Sequence, residues 1–595
     1  MKDQDERSHR NEGSPAVAPD TRGWNFFEAD QALQDILAIY LDAELLTHLR
    51  PHLSRLGWKV ANELDEAAHL ADRHPPILHQ RDRFGRDQQW IEYHPAYREL
   101  EAAAYGEFAI HALSHRAGIF GWPEPYPVVA KHAFTYLFKQ AEFGLGCPIN
   151  VTDSGAHALG KFGDDDLKAR FLPGMLTSDL DELTQSGQYM TEKEGGSDVG
   201  KITTEARLID GEWRIFGEKW FCSNADAEVT LLLARPEGAP DGTKRLGLFI
   251  MPFHLEDGSQ NAYRIVRLKD KMGTRSMASG EVILDGALAY PVGDLDRGIH
   301  QMLEMVNWSR LSNGVKSTAL MRRAVHDATA VLRGRVVFGS ALIEKPLARR
   351  QMLKIQLPAE QALSFSFFTA DVLDKSEGYG GGAARQDAAA VLRMATPVLK
   401  FRATRDGRAV TGDALEMRGG IGYIEEFVNP RLVRDAHLGS IWEGAGNVVA
   451  IDALARAVRK HSCHEPFRAS LRARLDDAGT LPASYVARLR DLVDKATAFV
   501  EEVGANTENE ANYRQAASTL YHTATAVLLA WEGALTFAAR GDARRALWSR
   551  LVVDHRLVPR DPFDAADTGW EDAVAERLLN DDPVSMDKVA GLLAG

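Results

Sequence analysis

Residues 187–224 read GQYMTEKEGGSDVGKITTEARLIDGEWRIFGEKWFCSN. The first half, Tyr189-Met-Thr-Glu-Lys-Glu-Gly-Gly-Ser-Asp198, is polar, sharply turning and poor in helix formers. A backbone that approaches a large planar or phosphorylated ligand needs this composition, because glycine removes the Cβ and hydroxyls supply donors. The second half alternates apolar and polar residues on both sides of Asp210-Gly211. Asp-Gly between two alternating runs predicts a tight β-hairpin. Working outward, residues 228–234, 246–251, 263–268 and 281–285 also alternate and read as strands. The stretch 188–297 is therefore expected to form a small barrel or sandwich between helical regions.

The flanks carry the helical period. In residues 31–40, Leu33, Ile36, Leu37 and Tyr40 share one face, and residues 24–187 read as a helical domain. His94 precedes Pro95 and reads as a packing or turn residue rather than a catalytic one. Phe143-Gly-Leu-Gly-Cys-Pro148 reads as a glycine-rich turn from which a helix resumes. Beyond the strands, 301–337, 346–374 and 388–415 are long amphipathic helices broken at Gly378–Gly382, which makes 298–460 a four-helix bundle. Residues 483–503, 510–535 and 538–557 read as further helices in an extra domain, 461–595. Residues 1–23 are charged, lack the apolar core of a signal peptide, and are expected to be a disordered tail.

At 595 residues the chain exceeds what one core supports. A formal net charge of −14 gives no global attraction to nucleic acid or anionic lipid. The three cysteines, Cys147, Cys222 and Cys463, form neither a disulfide framework nor a CxxC metal site, so no metal is expected. With no long apolar run, the expectation is a cytoplasmic enzyme that does not touch membranes.

The order helical, β, helical bundle carries five separated motifs: Met190-Thr-Glu-Lys-Glu-Gly-Gly-Ser-Asp198, Glu218-Lys-Trp-Phe-Cys-Ser223, Arg335-Val-Val-Phe-Gly339, Arg418-Gly-Gly-Ile-Gly-Tyr423 and Ile441-Trp-Glu-Gly-Ala-Gly-Asn447. In this order the chain resembles the flavin-dependent acyl-CoA dehydrogenases. Among them it is most similar to the AidB branch, which has extra helices after the bundle. The resemblance implies an α+β fold with an N-terminal all-α domain, a middle β-barrel and a C-terminal bundle. It implies FAD as cofactor, an acyl-CoA substrate, an electron-transferring flavoprotein as oxidant, and a homotetramer built as a dimer of dimers.

It also assigns residues. Met190, Thr191, Gly196, Ser197, Trp220, Phe221, Cys222 and Ser223 correspond to flavin-binding positions, with Thr191 and Ser223 as hydroxyl donors and Trp220 and Phe221 as the aromatic wall. Trp442, Gly446 and Asn447 fall in the later cofactor segment. Arg335, Phe338, Gly419 and Gly420 would reach the FAD of a neighbouring subunit. Glu443 corresponds to the base that removes the proton beside the thioester carbonyl, a task that asks for a desolvated carboxylate. Ser309 stands where another branch carries its base, and serine cannot serve. Arg310 and Ser197 correspond to substrate contacts, although a solvent-facing helix arginine would look the same. Cys222 has no activating base nearby in sequence, and its side chain reads as packing.

The AidB branch is associated with duplex DNA. Here residues 461–595 carry 15 Lys and Arg against 21 Asp and Glu, which opposes a phosphate-binding face. A local cluster, Arg540, Arg544, Arg545, Arg550, Arg556 and Arg560, is diluted by Asp542, Asp554 and Asp561. It reads as a solvated or interface face, with DNA binding the lesser alternative.

Overall fold

The computed structural model describes residues 18–559, 561, 563 and 568–593. Most of the expected tail, residues 1–17, lies outside them. Residues 18–23 are not tail-like: Ala18 and Thr21 are buried, and Pro19 packs where a Cβ on Gly334 would stand.

The N-terminal region is mainly helical, and the predicted helix Gln31–Tyr40 is capped by the Asp30 carboxylate on the Leu33 N–H. One part of this expectation fails. Residues expected to be helical form a hairpin, β1 (Ile77–Arg81) and β2 (Asp87–Glu92), paired antiparallel. It docks on the barrel, because Gln80 donates to the carbonyls of Ile265 and Val266 and the Ile265 N–H donates to Gln89. Pro75-Pro76 ends the preceding helix, and the short strands are mostly polar, the buried face of β2 being Gln89 and Ile91, so no apolar alternation reveals them in sequence. His94 caps the helix Pro95–Glu101 through its own ring nitrogen, which accepts the Ala96 N–H.

Seven strands close the middle region: β3 (Ser186–Tyr189), β4 (Glu205–Ile209), β5 (Glu212–Ser223), β6 (Val229–Pro236), β7 (Gly247–Pro252), β8 (Tyr263–Leu268) and β9 (Ser279–Pro291), in the order β3-β5-β4-β6-β7-β9-β8. Additional β3–β6 and β5–β9 pairings join the ends into a barrel. Asp210-Gly211 makes the predicted turn, pairing Ile209 with Glu212 while both turn residues take positive φ, as a type I′ hairpin requires. Tyr189, Cys222, Phe249, Tyr263, Ile265 and Val282 fill the barrel.

The bundle consists of helices Gly298–Gly334, Pro346–Glu377, Gln386–Arg418 and Val428–Gly439. The helices beyond residue 461 share one core with it: Phe365 packs against Tyr521 at 5.3 Å and against Phe467 at 6.3 Å. The helix expected at 538–557 does not form as one piece. Gly541, at φ 76°, ends the helix Tyr513–Arg540, and a new helix Arg544–Val552 starts three residues later. The flexible glycine outweighs the helical period on either side of it.

Arg545 lies at this new start, fully buried, and donates to Glu360 of the bundle at 3.0 Å and to Glu532 at 2.8 Å. The same Glu360 pairs with Arg322, which also pairs with Asp30 of the N-terminal region. One buried chain of charges thus crosses three parts of the molecule. Removing one partner of a buried pair costs about 3–5 kcal/mol, because the other charge is left unpaired. Arg545→Leu should therefore lower stability by about that amount in denaturant unfolding; a loss under about 1 kcal/mol would show that the pairs are not coupled to folding.

Candidate active site

The glycine-rich loop after Tyr189 is tied to the barrel by a charge inside it. Glu192 is buried, takes the N–H groups of Thr203 and Thr204, and pairs with the buried Lys219 of β5 at 2.6 Å. Lys219 also donates to the Leu233 carbonyl, and the Trp220 N–H donates to the Thr191 carbonyl. The loop consequently lies on the strand that carries Phe221 and Ser223. Met190 is partly buried against the cluster containing Cys147, Met277 and Met302, and Gly196 and Ser197 are exposed at the loop tip.

Strand alternation sorts the second motif. Phe221 is 57% exposed, with the Lys269 ammonium 4.9 Å from its ring, and Ser223 follows it on the same face. Trp220 is only half exposed, and the Lys269 ammonium lies 3.3 Å over its ring, so one face of the expected wall is already covered. Cys222 is corrected more fully. It points into the barrel core, where burial pushes its thiol up, and it is removed from the ligand-facing set while its packing reading stands.

Burial raises the pKa of the Cys147 thiol, which the Ser223 hydroxyl lowers, and Cys147 stands at the start of the helix Gly146–Phe162, joining the barrel to the helical regions. Glu443 and Lys316 act electrostatically on that same thiol. Glu443 itself sits at φ 58° and is followed by Gly444 at φ 94°. A non-glycine residue in the left-handed region is strained and persists only when its surroundings hold it. Two cations do so: Arg310 Nε donates to the Glu443 carbonyl at 3.1 Å, and Lys400 Nζ donates to the Gly444 carbonyl. Trp442 stacks on Phe143 at 5.7 Å.

The Glu443 residue is partly buried. Burial raises its pKa above the ordinary glutamate value, opposed by the charges of Lys316, Lys400 and Arg310. Lys400 is itself lowered to about 7, chiefly by burial.

Arg310 receives a different role from the one expected. It is buried, not solvent-facing, and its fork is committed to the Glu443 carbonyl, to Asn307 and to Asp452 at 2.7 Å. Asp452 opens a π-helical turn and also pairs with Arg393 at 2.6 Å. Arg310 is a positioning residue for the strained loop, and the assignment to substrate gives way. Ser309 beside it accepts from Asn150 at 2.8 Å.

Four expected residues lie together elsewhere. Arg335 donates to the Arg418 carbonyl next to Gly419 at 3.2 Å, and Phe338 is 99% exposed. Val336 and Tyr423 beside them are also exposed. Gly446 and Asn447 begin the short helix after Glu443, and Asn447 accepts from Arg514 of the extra helices.

Three family models match the chain in succession: the adaptive response protein AidB N-terminal domain over residues 17–182, the acyl-CoA dehydrogenase middle domain over 187–287, and the acyl-CoA dehydrogenase C-terminal domain over 296–458. AidB of Escherichia coli (strain K12) is 36% identical over 65% of this chain and 70% of its own length. The chain belongs to the acyl-CoA dehydrogenase family. Within it the chain falls in the AidB-like branch. Acyl-CoA dehydrogenase family member 11 of Caenorhabditis elegans is 28% identical over 96% of this chain and 92% of its own. The crystal structure of that worm protein in complex with C11-CoA superposes with a TM-score of 0.81 at 26% identity, covering 93% of this chain and 94% of the other. The apo form of Bd2924 gives a TM-score of 0.78 at 30% identity, covering 87% of this chain and all of the other.

As a member of the acyl-CoA dehydrogenase family the chain is an FAD-dependent oxidoreductase acting on a CH–CH bond. Its residues fit that cofactor. Phe221 offers a largely exposed ring, Ser223 a hydroxyl on the same strand face, and Thr191 a hydroxyl on the loop joined to that strand through Trp220. A Cβ on Gly196 would meet only the Thr191 methyl, at 3.9 Å, and one on Gly420 would meet nothing, so both backbones are open to a ligand.

Sequence reasoning missed Lys139, Cys147, Lys316 and Lys400. The signal for Lys316 was present, since it interrupts the small and apolar run Asn313-Gly-Val-Lys-Ser-Thr-Ala319 on a buried face. Lys219→Met strands the Glu192 charge and frees the loop. The purified variant should carry about tenfold less flavin by absorbance at a limiting flavin concentration; full flavin content would show that the pair does not hold the loop.

Proposed function

We propose that this chain dehydrogenates an acyl-CoA thioester between the α and β carbons, with Glu443 taking the α proton. The observation that carries this reading is the Glu443 loop. It is a left-handed, strained turn whose carbonyl is held by Arg310, with a partly buried side chain whose desolvation raises the carboxyl pKa. Desolvation raises the basicity of a carboxylate, and the surrounding Lys316, Lys400 and Arg310 oppose that rise. Trp442, packed on Phe143, closes one side and limits water around the carboxylate. FAD, when bound, supplies the acceptor for the β-hydride. Thr191, Ser197, Phe221 and Ser223 are proposed to hold it, and an electron-transferring flavoprotein to reoxidise it.

The exposed patch of Val336, Phe338 and Tyr423 beside Arg335 and Gly419 supports subunit association through this end of the bundle. The proposed assembly is a dimer of dimers in which these residues meet the neighbouring subunit's cofactor. Duplex DNA binding through the extra helices loses support. Arg540 pairs with Asp35 and Asp542, Arg544 with Asp542, Arg545 with Glu360 and Glu532, and Arg550 with Asp554. Arg560 lies outside the described residues. Among the described residues no helix is long and apolar enough to cross a membrane.

Glu443→Gln should retain fold and flavin yet reduce flavin bleaching by an acyl-CoA at least about 10³-fold under anaerobic mixing; near-normal bleaching would remove Glu443 as base. The pH dependence follows from the direction of its shift. The base acts only when ionised, so kcat/KM should fall as pH drops through an apparent pKa above the usual glutamate range. An acid limb at or below that range would contradict a carboxyl whose pKa is raised by desolvation.

A further inference from the structure

A second cleft, of about 190 Å³, lies between the N-terminal region and the bundle. His157 of the helix Gly146–Phe162 lines it, with Glu304, Asn307, Trp308 and Leu311 of Gly298–Gly334 and Glu377 at the end of Pro346–Glu377. At 3.6 residues per turn, Glu304, Asn307, Trp308 and Leu311 share one face of their helix, and Ser309 and Asn313 lie on another. The cleft is thus separate from the face that carries Ser309.

His157 is 7% exposed and its ring is held twice. It stacks on Trp308 at 4.2 Å, and its Nδ1 is bonded to the Tyr379 hydroxyl at 2.7 Å. Nε2 is left over. It has no hydrogen-bond partner among the described residues, and a Glu304 oxygen stands 4.0 Å from it. That distance is too long for a hydrogen bond, whereas two ligand bonds of about 2.1 Å to one ion put their donor atoms about 3–4 Å apart. Glu377 completes the set, because one ligand atom from each of His157, Glu304 and Glu377 lies within 4.8 Å of the other two. An imidazole that donates Nδ1–H to a hydroxyl keeps the Nε2 lone pair free and is oriented for a metal.

A cation already marks the spot. Lys161, one turn on from His157, places its ammonium 2.6 Å from Glu304 and 3.2 Å from Glu377. Its side chain is 35% exposed, so the ammonium has a way out to solvent, and two carboxylates share this one charge. His157 and Lys161 hold the Glu304 carboxyl down to about 2 against burial, which keeps it ionised as a ligand must be.

We propose that His157, Glu304 and Glu377 bind a first-row divalent transition-metal ion such as zinc, which replaces the Lys161 ammonium and joins the helix Gly146–Phe162 to two helices of the bundle. One imidazole and two carboxylates suit zinc, whereas magnesium prefers oxygen ligands and keeps its waters. Three protein ligands leave a fourth position for water from the cleft. The ion has no part in dehydrogenation: it is a joint between the N-terminal region and the bundle, and stability follows its occupancy. Cysteine spacing could not disclose the site, since its ligands are spread over three helices and include no cysteine.

The test is calorimetric titration of metal-stripped, FAD-loaded protein with zinc and, separately, with magnesium. About one zinc per chain should bind with a Kd of about 10 µM or tighter, and the melting temperature should rise with zinc. Glu377→Gln, at the exposed edge of the cleft, should fold as before and weaken zinc at least about tenfold, and His157→Gln should do the same. Lys161→Met removes the competing ammonium and should tighten zinc at least about threefold. If His157→Gln fails to fold, Glu377→Gln and Lys161→Met decide the matter. Absence of zinc binding, zinc binding that survives Glu377→Gln, equal affinity for magnesium, or affinity unchanged or weakened in Lys161→Met overturns the site and leaves the dehydrogenase reading untouched.

Discussion

The contact between Arg310 and Asp452 is the one on which the site depends. Both side chains are buried, 2.7 Å apart, so neither charge can be left alone at low cost. With its guanidinium fixed there, Arg310 presents Nε to the Glu443 carbonyl and holds that residue in a backbone conformation that glycine tolerates and glutamate does not. The strain is local, and the support comes from two bundle helices and a π turn. This is how a scaffold places a carboxylate without relying on the carboxylate's own contacts.

The same arrangement recurs across the molecule. Glu192 and Lys219 join loop to barrel, and the chain Asp30, Arg322, Glu360, Arg545, Glu532 joins the first helices to the last. Each lies between two elements far apart in sequence. Apolar packing brings the elements together without fixing their alignment closely, whereas a buried charge pair accepts a single register. For a site assembled from a barrel strand, a helix start and a loop, that alignment sets the distance between Ser223, Cys147 and Glu443.

Much of this was legible before any coordinates. The Asp210-Gly211 hairpin, the strand Tyr263–Leu268 and the helix Gln31–Tyr40 follow from periodicity and turn chemistry, both of which act over a few residues. The hairpin β1–β2 was hidden because its strands gain their stability from the barrel, through Gln80 and Gln89. Of the site, sequence yielded the motif residues, whose special backbone needs leave glycines and hydroxyls as marks. Cys222 and Arg310 were misplaced because whether a strand residue faces in or out, or an arginine meets an acid, is decided by partners distant in sequence. Lys139 escaped for the same reason, whereas Lys316 stood in a run whose small and apolar neighbours marked its burial.

The shared core of the bundle and the extra helices has a consequence for how this chain can be thought of as parts. Phe365 and Phe368 face Phe467 and Tyr521 across what sequence suggested was a domain boundary. A shortened protein stopping at residue 460 would bare an oily surface and strand Glu360 opposite empty water. The C-terminal quarter is thus no detachable appendage whose gain or loss could toggle a separate activity; it is a wall of the same building, and changes on either side of it would have to be made in step.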